Sequence, residues 1–227
     1  SRFNDFFNTH TDIYELGLQV FNDSVMAHFD QEWYTRFYGT PPAEQFRIII
    51  GFTNGPCNYG PSRKLTGQPK EVFAIMNYAV DDNERPIFYK KVVETVVHEF
   101  CHSFTKIKGD TEKALEKSGK ALQEYTYFSM RRQAYSTWRN ILEESLVRAA
   151  TICYLIDHNY DEKDIRNAII EQVDRNFFWM PELVQTLRYY ESHRKKYPTF
   201  TSFYPEIIRF FDRYVTNMEK EMKKAMK

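Results

Sequence analysis

Apolar residues recur at helical spacing over most of the chain, and two short stretches interrupt that rhythm. From Ile13 onward, Leu16, Val20, Phe21, Val25 and Phe29, followed by Trp33 and Phe37, fit a helix period. Thr11 or Asp12 would cap its start, and Gly39-Thr40-Pro41-Pro42 stops it. Phe46-Arg47-Ile48-Ile49-Ile50-Gly51-Phe52 is rich in β-branched residues and reads as a buried strand. The residues from Thr53 to Pro61 are dense in turn formers, so Asn54, Asn58 and Tyr59 fall in a loop beside that strand. A second extended run spans Glu71 to Val80, including Asn77, and closes at Asp81-Asp82-Asn83. Helical spacing then returns at Val93, Val96, Val97, Phe100, Cys101 and Phe104, with no Gly or Pro between Phe88 and Lys108.

Beyond Lys108-Gly109-Asp110 the pattern is almost wholly helical. Thr111 to Gln123 is weakly amphipathic and charged. The stretch from Tyr125 to Asp157 contains neither Gly nor Pro and carries a buried face at Trp138, Ile141, Leu142, Ser145, Leu146, Ala149, Ile152 and Cys153. Helical patterns follow around Ile165 to Phe178, Pro181 to Tyr190 and Phe203 to Met218, separated or started by Pro181, Pro198 and Pro205. The charged tail from Glu219 is expected to fray. These patterns predict an α+β fold, mostly helical: one domain over residues 1–227, with an α+β lobe to residue 108 and a helical lobe from 109.

Composition narrows the classes of function. The 31 basic and 31 acidic residues cancel, which argues against a nucleic-acid or membrane-surface binder, since both need a basic excess. No run reaches the roughly 18 apolar residues of a membrane span. Three cysteines, odd in number and without CxxC spacing, argue against a disulfide framework and leave room for one pair. The first residue is Ser rather than Met, consistent with an exported protein whose signal has been removed. The 16 Tyr, 19 Phe and 3 Trp supply a large aromatic core.

One motif carries chemistry. His98-Glu99-Phe100-Cys101-His102 lies in the apolar helical run, and residues four apart stand one turn above each other. Both imidazoles can then reach one Zn2+ at roughly 2.0–2.1 Å. Glu99 stands about 100° round the helix, beside the metal rather than on it, where a general base for an activated water belongs. The bland alternative is a buried helix whose two histidines are satisfied by hydrogen bonds.

The longer pattern resembles zinc peptidases of the zincin type, which favour Val or Thr three residues before the first His and uncharged residues through the motif. Thr95, Val96, Phe100, Cys101, Ser103 and Phe104 fit it. The resemblance implies a small mixed sheet packed on the metal helix, and gives the run from Glu71 to Val80 the role of an edge strand to which an extended substrate adds, with an ordinary core strand as the equal alternative. Asn140-Ile141-Leu142-Glu143-Glu144-Ser145-Leu146-Val147-Arg148-Ala149-Ala150 makes the closer likeness that of a gluzincin, whose third ligand is a Glu on a following helix. It is also similar to exported bacterial domains of unknown function with a comparable pair of helices.

Glu143 and Glu144 stand about 100° apart on a helix, so they cannot both face one ion. Glu144 is favoured as the ligand because Arg148, four residues on, can hold its carboxylate. The resemblance then implies a Zn2+ peptidase acting on a peptide or protein substrate. His98, His102 and Glu144 would be ligands, Glu99 the base, and Tyr125, Tyr127, Tyr135 or Arg148 the oxyanion donor, with Asn54, Asn58, Tyr59 and Asn77 lining the cleft. Two rivals stand beside it: a zincin-like domain that binds a peptide or glycan without hydrolysis, and a metal-free helical interaction module. Oligomeric state is not legible.

Overall fold

In a computed structural model of the chain, which describes residues 2–53, 55, 58–89 and 91–226, the fold is α+β, 62% helical, with a small mixed sheet. It divides into two compact units, residues 1–31 with 42–100 and residues 32–41 with 101–227.

The first unit opens with α1 (Phe3–Thr9), α2 (Thr11–Ser24) and a 3-10 turn at Met26–His28. Its sheet is built from β1 (Gln45–Ile50), β2 (Ser62–Arg63) and β3 (Glu71–Met76) in the order β1-β3-β2, with β1 parallel and β2 antiparallel to β3. The ladder on the β2 side extends to Tyr59, whose N–H and C=O both bond Ile75, at 3.0 and 2.8 Å. β3 is therefore central, and the expected edge role of the run from Glu71 is corrected: the outer strand on that side is formed by residues 59–63. Asn77 and Tyr78 break the run, and Ala79–Val80 (β4) forms a separate hairpin with Pro86–Ile87 (β5). Glu71 is buried at the start of β3 because Arg47 and Arg63 pair with it from the strands on either side. Hydrogen bonds from Arg63 and then Arg47 hold its carboxyl below the ordinary range.

The metal-motif helix α4 (Lys91–Cys101) buries Val93, Val96, Val97, Phe100 and Cys101, as its spacing predicts. Phe46 of β1 stacks on Phe100 with ring centroids 4.1 Å apart, which packs the sheet on this helix.

The second unit comprises α3 (Trp33–Tyr38), α5 (Gly109–Tyr125), α6 (Tyr127–Arg132), α7 (Trp138–Asp157), α8 (Glu162–Asp174), α9 (Met180–Ser192) and α10 (Phe200–Ala225). α7 is its axis: 13 of its 20 residues are buried, and it packs against α5, α8 and α9. Thr137 caps it, its side chain accepting from the Asn140 N–H at 3.2 Å. The Trp179 indole donates to Ser145 Oγ at 2.9 Å, which satisfies both buried groups.

Several expected helix boundaries differ. The helical period from Ile13 to Phe37 is broken: α2 ends at Ser24, α3 begins at Trp33, and Phe29 between them is extended. The stretch after Tyr125 bends at Thr126 and again at Ala134, whose φ of 66° ends α6 without a Gly or Pro to signal it. Pro205 lies inside α10 rather than starting it, because a Thr199–Ser202 capping box fixes the start at Phe200. The tail is helical to Ala225, with its last turns exposed.

Asp157 closes α7. It accepts from the Trp33 indole at 2.8 Å and pairs with Arg188 of α9, which also reaches Glu191. Burial, and then Asp157, push the Glu191 carboxyl up to about 8 from an ordinary 4.5. The folded chain holds this proton over a range where the unfolded chain has released it. Stability is thus expected to fall as pH rises from about 4.5 to about 8, by at most about 1.4 kcal/mol per pH unit, and then to level off. Urea melts of the wild type and of Glu191→Gln check this; identical pH profiles for the two would contradict it.

Candidate metal centre

The motif ends where its helix ends. α4 stops at Cys101, and His102 occupies the first position of the following turn, which closes with Phe104 N–H on Cys101 C=O at 3.0 Å. His98 lies one turn earlier on the same continuous helix. Burial draws the His102 pKa below its ordinary value, more than the nearby Glu144 carboxylate raises it. A neutral imidazole is the ligating form.

Glu144 is on α7, buried, with Oε2 3.7 Å from His102 Nε2. Its Oε1 lies 2.7 Å from Arg148 Nε, one turn on, an ion pair rather than a linear hydrogen bond. The rest of the guanidinium is also engaged. One terminal nitrogen donates to the Gln172 side-chain oxygen, the other to the Tyr135 hydroxyl at 3.0 Å, and the plane lies 5.1 Å from the centre of the Phe177 ring. Burial opposes the Arg148 charge, but Glu144 and Tyr135 outweigh it and raise its pKa. Burial, and then Glu144, raise that of Tyr135, so its phenol stays protonated.

One ligand atom from each of His98, His102 and Glu144 lies within 4.8 Å of the other two. Two imidazoles and a carboxylate form a donor set that could hold a divalent metal ion. Within the group, His102 Nε2 and Glu144 Oε2 stand 3.7 Å apart. Glu143 is turned elsewhere: its carboxylate accepts from the Ile107 N–H at 2.9 Å and pairs with Lys106 at 3.2 Å.

The other expected residues are distributed as follows. Glu99 is half-buried on α4, its Oε2 close against Gly60. Tyr59 is half-exposed, and the Asn58 side chain accepts from the Asn77 N–H at 2.9 Å, tying the loop to the end of β3. Asn54 lies outside the described residues. Of the tyrosines, Tyr125 and Tyr127 are exposed, whereas Tyr135 touches the Arg148 side chain. Two participants carry no functional reading in the sequence, Gly60 and Gln172. The first looked like part of a turn, and the second is a polar residue on a helix with nothing to mark its partner.

Arg148→Ala would leave the Glu144 carboxylate buried and uncompensated, at an expected cost of roughly 3–5 kcal/mol in denaturant melts. Arg148→Lys should recover part of this, because an ammonium cannot reach Glu144, Gln172 and Tyr135 together. A loss below about 1 kcal/mol in the alanine variant would place Glu144 in water after all.

Among the described residues no helix is long and apolar enough to cross a membrane. No curated protein and no solved structure matches the chain. A family profile does, over residues 1–210, and by this the chain belongs to the family described as Domain of unknown function (DUF4932).

Proposed function

We propose that the protein is a zinc-dependent peptidase of the gluzincin type. The observation that carries this reading is the convergence of His98, His102 and Glu144, with Arg148 holding Glu144 from behind. A zinc ion bound by these three side chains would lower the pKa of a water and polarise a substrate carbonyl. Glu99, on the same helix as the histidines, takes the proton of the attacking water and returns it to the leaving amine. The Tyr135 hydroxyl, protonated and oriented by Arg148, is the donor we assign to the oxyanion. Arg148 is committed to Glu144, Gln172 and Tyr135 and acts through them as a positioning residue, not as a group on the substrate.

An extended peptide is the fitting substrate. Tyr59 spends both backbone groups on Ile75, and the Pro61 C=O accepts from Phe73. Gly60 and Ser62 between them therefore turn N–H and C=O outward, toward an edge that no described strand covers. That edge can receive a peptide by strand addition. On the resemblance to exported bacterial domains, we assign the activity to a compartment outside the cytoplasm.

The test is metal content and turnover together. Protein purified without chelator or added metal should hold about one zinc per chain, lost in His98→Ala and weakened in Glu144→Ala. Glu99→Gln should keep its zinc and hydrolyse a mixed peptide library at least about 100-fold more slowly. Protein that takes up no zinc even when it is supplied, or equal turnover by Glu99→Gln, would end this reading.

A further inference from the structure

A Cβ built on Gly60 would lie 2.2 Å from Glu99 Oε2 and 3.3 Å from its Cδ. That is far inside contact distance, so the carboxylate occupies the space a side chain would fill. The backbone does not explain the glycine. Gly39, Gly55, Gly67 and Gly109 have positive φ, but Gly60 does not. Gly17 and Gly119 make room for the rings of Phe52 and Trp138, as packing requires; at Gly60 the neighbour is an ionisable group on the helix of the metal motif.

The segment around Gly60 is held firmly. Tyr59 exchanges two hydrogen bonds with Ile75, Pro61 accepts from the Phe73 N–H at 2.9 Å, and Asn58 ties to Asn77. Pro61 also fixes its own φ. Withdrawing this backbone would break ladder bonds, whereas the Glu99 side chain has three rotatable bonds and is the softer partner. A methyl group at residue 60 therefore moves the carboxylate, not the strand. Ordinary contact begins at 3.4 Å, so the carboxylate must retreat by about 1.2 Å.

We infer that Gly60 is a positioning residue: its absent side chain forms the seat of the Glu99 carboxylate, and the outer strand of the sheet thereby aims the general base. The functional half of this inference rests on the peptidase reading above; the seat itself does not.

Gly60→Ala tests it by three readouts. Its crystal structure should show the Glu99 carboxylate displaced by about 1 Å with the backbone of residues 58–61 in place. Zinc content should match the wild type, since no ligand is touched. On a peptide substrate kcat should fall about 10- to 100-fold with KM within about twofold, the scale expected of a catalytic group misplaced by an ångström. Glu99→Asp, one methylene shorter, should cost less in the Gly60→Ala background than in the wild type, because the shorter side chain no longer meets the added methyl. An unmoved carboxylate, an unchanged kcat, or strictly multiplicative losses in the double variant would overturn the inference. A wild type without zinc or turnover would instead overturn the peptidase reading, while the position of the carboxylate would still decide whether Gly60 is its seat.

Discussion

A carboxylate taken out of water and answered by a guanidinium on the next turn is the interaction on which the candidate centre depends. Burying an unpaired charge costs several kcal/mol, so Glu144 can sit inside the helical unit only because Arg148 comes with it. Arg148 in turn needs acceptors, which Gln172 of α8 and Tyr135 of the segment before α7 provide. The chain is consequently locked over four side chains, and the orientation of the carboxylate is set before any ligand arrives. Supporting partners orient the ligands of metal sites in the same way.

The first unit shows the same physics with a different outcome. Glu71 is buried too, but an arginine takes each of its oxygens, one from each neighbouring strand. Its charge is matched within the sheet, and it serves to fasten three strands. Glu144 divides its oxygens between Arg148 and the side facing His102, whose imidazole burial keeps neutral. Two buried glutamates thus part ways by what stands opposite them: two cations in one case, one cation and a neutral imidazole in the other.

Much of this was legible in the residues. The spacing of Val93, Val96, Val97, Phe100 and Cys101 announces the buried face of α4, and Glu144 with Arg148 at one turn announces the ion pair. The limits of local periodicity account for what was not. Residues 13–37 keep a helical rhythm through a real break at Phe29, because hydrophobic spacing reports burial and not continuity. Ala134 adopts a left-handed conformation with no glycine to advertise it. The zincin resemblance casts β3 as an edge strand, yet strand order is set by pairings distant along the chain, and residues 59–63 take the outer position. Gly60 was hidden for the same reason: among Asn, Tyr and Pro it looks like a turn residue, and only its proximity to Glu99 distinguishes it.

We propose that His98, His102 and Glu144 together hold one zinc ion, and anomalous diffraction at the zinc absorption edge is the test. A single strong peak per chain is expected, within about 2.2 Å of a nitrogen of His98, a nitrogen of His102 and an oxygen of Glu144, with the guanidinium of Arg148 still on Glu144. No peak from zinc-soaked crystals, or a peak bound by other residues while these three keep their separation, would contradict it.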